Sequence, residues 1–307
     1  MVPEVFQVAP PDAGRTVLRI LHDLGGFSHA TARGLILAGS VARNGRPVSR
    51  LDERVEPGDR IELTYEPARR YRGPRARRAP EGWRIVYEDR LVVVVDKPAG
   101  LLTVPTPSGT SRSLQELLAH SYRARGYRRP SVLPVHRIDR YTSGLVAFAL
   151  TEPAWRRLRA QFAAGRPERI YLAVVRGRIE RDQGTLVHHL EEHPESLKVR
   201  TARRGREGAR RASCTFRVRE RFSRATLLEV RLETGRRNQI RVQLAAEGHP
   251  ILGDHAYGEP SPLIARTALH AARLAFEHPE SGARLAFESE PPGDLRNLIA
   301  ALRREGR

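Results

Sequence analysis

Residues 135–144 contain a carboxylate whose neighbours suit it for chemistry. Asp139 lies between Arg137 and Arg140, on a short segment that follows an apolar run and a proline. A carboxylate can act as a nucleophile, as a general base or as one half of an ion pair. An isolated aspartate among arginines most often forms a structural ion pair or a turn, so this segment alone does not decide between these roles.

Two later segments change that interpretation. Residues 169–177 (RIYLAVVRG) and residues 234–241 (TGRRNQIR) follow residues 135–144 (VHRIDRYTSG) in order. Together the three resemble the motifs of the RluA family of RNA pseudouridine synthases. A DKPAG turn before them and a GHPILGDHAYG segment after them fit the same pattern, and the match runs over about residues 83–296. The resemblance implies that uridine in structured RNA is isomerised to pseudouridine with no cofactor.

The resemblance also assigns roles within the motifs. Asp139 matches the catalytic aspartate, Tyr171 the tyrosine that stacks on the target base and assists proton removal at C5, and Arg241 the basic partner of the aspartate. A guanidinium within a few Å would favour the ionised carboxylate in a buried site. The sequence leaves open whether Asp139 attacks C1′, adds to the base or removes the C2′ proton. The RNA contacts expected within these motifs are His136, Arg137, Arg140, Thr142, Arg236, Arg237 and Gln239.

The reaction makes further demands on the site. It breaks the N1–C1′ bond, turns the base and forms a C5–C1′ bond. A stacked strand hides these atoms, so the nucleotide must be flipped out of the RNA. The site must also retain the detached uracil, which requires an enclosed pocket.

Four residues depart from the common family pattern. Ile138 stands where leucine is usual, and Tyr141 where an acidic residue is frequent. Arg169 replaces a common lysine, and Asn238 replaces a common histidine. These changes leave the proposed catalytic residues in place, but they weaken any assignment to a particular subgroup or RNA target.

The charge of the chain indicates an anionic partner. The chain has 307 residues, a formal net charge of +19 and a sequence pI of about 11.2. Such a field attracts nucleic acid first and an anionic membrane surface second. Nearly all of the positive charge comes from arginine, which suits phosphate and base contacts, although genomic base composition can favour arginine codons with no functional cause.

Composition excludes several classes of protein. Cys214 is the single cysteine, which excludes an internal disulfide and a cysteine-rich zinc site. No apolar run approaches the roughly 20 residues of a membrane span, and the N-terminus does not resemble a signal peptide. We therefore expect a cytoplasmic protein with no membrane partner. Carboxylates near the motifs are too sparse for a two-metal nuclease, so we expect no metal.

The sequence pattern of the first 66 residues predicts a small separate domain. Two short helices, the second capped by Ser28, precede an Asn44-Gly45 hairpin and a final strand. This order resembles an S4 RNA-binding domain over about residues 13–64. The resemblance implies that the second helix and the hairpin face RNA, through His29, Arg33, Arg43 and Arg46. The alternative is a solvated polar face, because acidic residues dilute the local charge.

The remainder divides into a linker and a large domain. Residues 67–82 are rich in arginine, proline and glycine and predict an extended basic linker. Residues 83–307 mix buried strand patterns with a few helices, which indicates an α+β fold around a large, mainly antiparallel mixed sheet. The family resemblance implies that this domain has the pseudouridine synthase fold. The basic segment 198–211 is expected to form a hairpin loop over the RNA.

The sequence leaves two functions of different classes open. The first is an active pseudouridine synthase, with large-subunit ribosomal RNA favoured over transfer RNA because of the S4-like module. The second is a ribosome-associated RNA-binding protein with vestigial catalysis, which the intact motif residues argue against. The family resemblance implies a monomer.

Overall fold

A computed structural model provides the fold of the chain. It describes residues 2–48, 53–67, 82–106, 112–128, 130–193 and 198–305, except for the side chains of residues 29, 30, 33 and 37. Nearly all of the predicted basic linker, residues 68–81, lies outside the described residues. The chain divides into two compact units. No helix in the described ranges is long and apolar enough to cross a membrane.

The N-terminal unit is a four-stranded antiparallel sheet with two helices. Its elements are β1 (Val2–Gln7), α1 (Val17–Asp23), α2 (His29–Leu37), β2 (Val41–Arg43), β3 (Arg46–Pro47) and β4 (Arg60–Tyr65), and the strand order is β1-β4-β2-β3. The Ser28 hydroxyl accepts a hydrogen bond from the Thr31 amide and caps α2. Asn44 and Gly45 both have positive φ, as a tight hairpin turn requires. The predicted helices, hairpin and final strand are confirmed, whereas β1 carries no strong sequence pattern and was not predicted.

The second unit contains the remaining elements. They are β5 (Arg84–Glu88), β6 (Val92–Lys97), α3 (Leu114–Ala124), β7 (Leu133–Pro134), β8 (Ser143–Ala149), α4 (Glu152–Ala163), β9 (Glu168–Arg176), β10 (Gln183–Glu192), β11 (Val199–Ala202), β12 (Arg210–Arg221), β13 (Ala225–Leu232), α5 (Gln239–Ala246), β14 (Leu269–Glu277), β15 (Arg284–Glu288) and α6 (Gly293–Glu305). This composition confirms the α+β class.

One large mixed sheet organises these elements. The strand order in the described chain is β11-β10-β12-β13-β9-β14-β8-β6-β5, with β15 paired to β14 and β7 paired to β8. Every pairing is antiparallel except that between β8 and β14. Strand β8 is buried along its whole length, and β6 along most of it, which explains why their sequences lack polar–apolar alternation.

The centre of the sheet brings the three motifs together. Strand β8 begins directly after the Asp139 segment, and β9 carries the second motif between β13 and β14. The third motif follows β13 and leads into α5. Gly144 permits the close approach of β8 to β14, because a Cβ at this position would collide with the backbone carbonyl of Ala271 and its φ of +108° disfavours other residues.

The basic segment 198–211 is not a hairpin loop, contrary to the sequence prediction. Its first part is β11, which pairs with one side of β10, and β12 pairs with the other side. Residues 203–209 therefore cross between the two sides of β10. The reason is packing: Val199 is buried in a cluster with Leu190 and Ala212, so this part of the basic segment forms a strand.

Candidate active site

A cavity of about 450 Å³ lies where the three motifs meet. Its wall includes the segment from Val135 to Asp139, Arg169 and Tyr171 of β9, the last turn of α4 around Phe162, and the segment from Leu232 to Arg241. The volume falls within the roughly 300–1,000 Å³ range of small-molecule sites. The cavity is therefore of a size that can receive a single flipped-out nucleotide base.

Asp139 and Arg241 form an ion pair at this cavity. The Arg241 Nη1 donates a hydrogen bond to Asp139 Oδ2 at 3.1 Å. The two side chains are 23% and 14% exposed, so both are partly shielded and yet the carboxylate can be reached. The pairing expected from the family resemblance is thus present in the geometry, with one carboxylate oxygen, Oδ1, left without a hydrogen-bond partner among the described residues.

Asp254 holds the other edge of Arg241. Its two carboxylate oxygens accept hydrogen bonds from Arg241 Nε at 2.6 Å and Nη2 at 2.8 Å. Asp254 is fully buried, and its Oδ1 also accepts the backbone amides of Ala256 and Tyr257. Burial alone would raise the pKa of Asp254, but these hydrogen bonds and the charge of Arg241 lower it. The carboxylate is therefore a fixed anion that clamps the guanidinium in two-pronged geometry.

The environment of Arg241 keeps it charged. Burial disfavours the guanidinium, but the hydrogen bonds and charges of Asp254 and Asp139 outweigh this and raise the pKa of Arg241. The guanidinium also lies 5.0 Å from the centre of the Tyr257 ring, as a cation–π contact requires. Arg241 thus bridges two carboxylates, one structural and one facing the cavity.

Asn238 sets the direction in which α5 starts. It adopts the left-handed conformation with φ of 51°, which asparagine tolerates better than most residues. Its side-chain oxygen accepts from Arg241 Nη1 at 3.2 Å, and its Nδ2 donates to the Tyr257 hydroxyl at 2.9 Å. This residue, known from the sequence only as a departure from the family pattern, therefore helps to aim Arg241.

Lys97 anchors the Asp139 segment from behind. Its ammonium is fully buried and donates to three backbone carbonyls, those of Pro98 (3.0 Å), Leu101 (2.8 Å) and Arg140 (3.2 Å). Three carbonyls match the three donors of a lysine ammonium. The DKPAG turn and the residue after Asp139 are therefore fastened by one side chain.

Two further side chains fix the same segment. The Thr103 hydroxyl donates to the Ile138 carbonyl at 2.8 Å. Arg266 donates to the Tyr141 carbonyl at 3.2 Å and also forms a two-pronged ion pair with Asp294 at the start of α6. The backbone on both sides of Asp139 is thus tied to distant parts of the unit, which limits the movement of the carboxylate.

Tyr171 lies in the cavity wall as a neutral phenol. It is 7% exposed and points to the same face of β9 as Arg169, two residues earlier. Burial raises the pKa of Tyr171 to about 12; the charge of Asp139 contributes to this rise and that of Arg169 opposes it. Its hydroxyl is therefore a potential proton donor or acceptor that remains un-ionised at ordinary pH.

Comparison with known proteins identifies the family of the chain. The family model described as RNA pseudouridylate synthase matches residues 91–246. The chain belongs to the RNA pseudouridylate synthase family. A ribosomal large subunit pseudouridine synthase D of Neisseria meningitidis is 36% identical over 286 residues, which are 88% of this chain and 74% of that protein. An uncharacterised RNA pseudouridine synthase of Bacillus subtilis is also 36% identical, over 91% of both chains.

A solved structure supports the fold of the synthase. Human RNA pseudouridylate synthase domain containing 4 superposes with a TM-score of 0.60, at 22% identity, over 71% of this chain and 92% of that chain. At this identity the likeness concerns the fold alone. The pseudouridine synthase fold expected from the sequence is confirmed by this likeness. The isomerase class is confirmed by the family match and the similar synthases.

Two residues expected to contact RNA are buried and form hydrogen bonds within the protein. Gln239 is buried, and its amide bonds the Thr234 hydroxyl, the Arg236 amide and the Ser213 carbonyl. Thr142 is also buried, and its backbone amide closes a turn on the Asp139 carbonyl at 3.1 Å. Both line the cavity, but their geometry supports a role in shaping it, because motif membership does not reveal where a side chain points.

His136 faces the cavity as a neutral ring. The Ala147 amide donates to its Nε2 at 3.1 Å, so the ring proton resides on Nδ1. The ring stacks on Phe162 at 4.8 Å between centres. Burial, assisted by the charge of Arg169, lowers the pKa of His136 to about 3. His136 is therefore part of an apolar wall and not a cation for phosphate.

The predicted arginines differ in how free they are. Arg137 is exposed at the cavity and has no ion-pair partner among the residues that the structure describes. Arg237 pairs with Glu192, and Arg236 donates to a backbone carbonyl at 3.3 Å. Arg140 donates to the Gly100 carbonyl and covers the ring of Tyr141. Arg137 is thus the most available of these for an RNA phosphate.

The arginines of the N-terminal unit also differ. Arg43 forms an ion pair with Asp59 at 2.7 Å, and Arg46 is exposed in β3. Burial would raise the pKa of Asp59, but hydrogen bonds from the Glu56 amide and from the side chains of Arg43 and Asn44 lower it. Arg33 lies in α2, and its side chain is outside the described residues, as is that of His29. Of Arg43 and Arg46, the two whose side chains the structure describes, Arg46 is the exposed one.

Changing Tyr171 to phenylalanine should slow the chemistry and spare RNA binding. The ring keeps its packing, but the hydroxyl can no longer give or take a proton. General acid–base groups contribute about 10²–10⁴-fold, so we expect a single-turnover rate of tritium release at least on the order of 100-fold lower. Filter binding of the same RNA provides the control. An unchanged rate would mean that Tyr171 contributes only its ring.

Changing Lys97 to methionine should remove part of the pH dependence of stability. Burial lowers the pKa of Lys97 to about 7, from an ordinary value of 10.5; nearby Arg266 and Arg140 act in the same direction and Asp139 against it. Between these values the unfolded chain binds more protons than the folded one, so the free energy of unfolding of the wild type rises with pH.

Urea unfolding at a series of pH values checks this expectation. The difference in the free energy of unfolding between wild type and the Lys97→Met variant should increase as pH rises from about 7 toward 10. The lost hydrogen bonds to carbonyls add an offset that does not depend on pH in the same way. Parallel stability curves for the two proteins would contradict the expected titration of Lys97.

Proposed function

We propose that the protein converts specific uridines of large-subunit ribosomal RNA to pseudouridine. The uridine flips into the cavity, and Asp139 performs the step that leads to cleavage of the N1–C1′ bond. The observation that carries this proposal is the clamp in which buried Asp254 holds Arg241 and Arg241 faces Asp139. Such preorganised charge needs no rearrangement when the reaction begins.

The geometry supports each part of the reaction. One oxygen of the Asp139 carboxylate accepts a hydrogen bond from Arg241, and the residue lines the cavity. The neutral hydroxyl of Tyr171 stands in the same wall, near the base that must lose its C5 proton. The wall formed by His136 and Phe162 is neutral and flat, as a stacked base requires. The conversion involves no net oxidation or reduction, so it needs no redox cofactor.

The choice of ribosomal RNA has separate support. Several similar proteins carry the name ribosomal large subunit pseudouridine synthase D.

We also propose that residues 1–66 form an S4-like RNA-binding domain, that residues 67–82 link it to the rest of the chain and that residues 83–307 form the catalytic domain. In this assignment Arg46 contacts RNA, so Arg46→Glu should weaken RNA binding and leave the rate at saturating RNA unchanged. Action on ribosomal RNA, as a monomer in the cytoplasm, completes the proposal.

Tritium release from C5-labelled uridine tests the proposal. Unmodified large-subunit ribosomal RNA, small-subunit ribosomal RNA and transfer RNA are supplied separately, with the Asp139→Asn variant as the inactive control. Release from the large-subunit RNA alone is the expected result. Release from transfer RNA alone would support the proposed activity and contradict the proposed ribosomal RNA substrate. No release from any RNA that the protein still binds would favour a binding protein with vestigial catalysis.

A further inference from the structure

Arg169 is a buried cation without a carboxylate partner. It is 6% exposed, and within the described parts of the chain no carboxylate lies within ion-pair distance of it. Its Nη2 donates to the Glu233 carbonyl at 3.3 Å, and its Nε is buried with no hydrogen-bond acceptor. Arginine this deeply buried is almost always paired, because removing a charge from water is costly.

The surroundings of Arg169 do not compensate its charge. The guanidinium carbon lies 5.8 Å from the centre of the Phe162 ring, and His136 beside it is neutral. Burial lowers the pKa of Arg169, and neighbouring Tyr171 opposes this only in part. The side chain lines the cavity, on the same face of β9 as Tyr171. The cavity thus contains a cation whose missing partner has to come from what binds there.

The reaction produces such a partner. When the N1–C1′ bond breaks, its electron pair stays with the uracil, where it is shared by N1 and the carbonyl oxygens O2 and O4. The ring then uses an electron pair to form the C5–C1′ bond, C5 loses its proton, and N1 gains one. If Asp139 instead adds to the base first, the displaced ring electrons also reside on a carbonyl oxygen. Each route that the sequence leaves open therefore places negative charge on the uracil.

We propose that Arg169 is a further catalytic residue, whose guanidinium donates to a carbonyl oxygen of the flipped uracil. It stabilises the negative charge on the base and retains the detached uracil while it turns. The two arginines then have different roles: Arg241 pairs with the Asp139 carboxylate, and Arg169 donates to the uracil. This assignment rests on the proposed function, because it requires a uracil in the cavity.

Gly235 offers a way to disturb Arg169 without removing its charge. A Cβ at this position would lie 2.5 Å from Arg169 Nη1, with no other close neighbour except the Arg169 Cζ at 3.7 Å. The backbone of Gly235 does not have the positive φ that disfavours other residues. Gly235→Ala should therefore fold normally and push the guanidinium out of place.

The experiment compares single-turnover tritium release and RNA affinity across a set of variants. Arg169→Met should lower the rate at saturating RNA by on the order of 100-fold, as for loss of one oxyanion donor, with affinity within about threefold. Arg169→Lys should recover much of the rate, because it restores the charge. Gly235→Ala should slow the wild type but have no further effect in Arg169→Met. Arg231→Met, exposed on the neighbouring strand, is the control and should match the wild type.

Distinct outcomes separate the possible failures. A normal rate for Arg169→Met, or a lysine variant no better than the methionine variant, overturns the role of Arg169 and leaves the proposed function intact. Equal losses of rate and affinity would overturn it as well, since they indicate a binding role. If Arg169→Met fails to fold, a normal rate for Gly235→Ala overturns the inference. Absence of release by the wild type overturns both proposals.

Discussion

Replacing Asp139 by asparagine should abolish pseudouridine formation and leave RNA binding intact. Asparagine has the same shape, but it can neither attack carbon effectively nor accept a proton as a carboxylate does. We expect the single-turnover rate to fall by on the order of 10⁴-fold or more, as for other residues that carry out the covalent step. The measurement is tritium release at saturating RNA, with RNA affinity determined in parallel.

The interpretation depends on the fold remaining unchanged. Asp139 is partly exposed and pairs with Arg241 through one oxygen, and the amide oxygen of asparagine can still accept that hydrogen bond. The melting temperature of the variant should therefore stay close to that of the wild type. Substantial residual turnover by a folded Asp139→Asn protein would show that another group carries out the first step.

Replacing Asp254 by asparagine should damage both stability and catalysis. The variant leaves Arg241 buried with only the partly exposed Asp139 as its counter-charge. Breaking one side of a buried ion pair typically costs about 3–5 kcal/mol of unfolding free energy. A guanidinium released from its clamp can also shift by about 1 Å, which is enough to slow a reaction on the order of 100-fold. Urea unfolding and single-turnover rates measure the two effects.

Asp182 provides a matched control for this variant. It also pairs with an arginine, Arg221, at 2.7 Å, but its side chain is exposed. Because exposed ion pairs contribute little, Asp182→Asn should change the unfolding free energy by no more than about 1 kcal/mol and leave the rate unchanged. Equal effects of the Asp182 and Asp254 substitutions would contradict the clamp, as would an Asp254→Asn protein with full activity.

The sequence determined the local features of this synthase. Short motifs single out Asp139, Tyr171 and Arg241 as candidates, because each motif is a few residues long and the three occur in the order typical of the family. Buried strands such as β6 and β8 appear as uninterrupted apolar runs, and the caps and turns of the N-terminal helices and hairpin appear as Ser28 and Asn44-Gly45. These signals act over a few residues, so the sequence alone contains them.

Only the tertiary structure decided which charges meet. Asp254 lies in the GHPILGDHAYG segment of the family pattern, but that segment does not reveal that its aspartate is the partner of Arg241. The same holds for the three carbonyls that Lys97 joins, and for the course of residues 203–209 across β10. Ion pairing and burial depend on distances between strands remote in the chain. For this reason, only the folded structure shows that Arg169 is buried with no carboxylate beside it among the described residues.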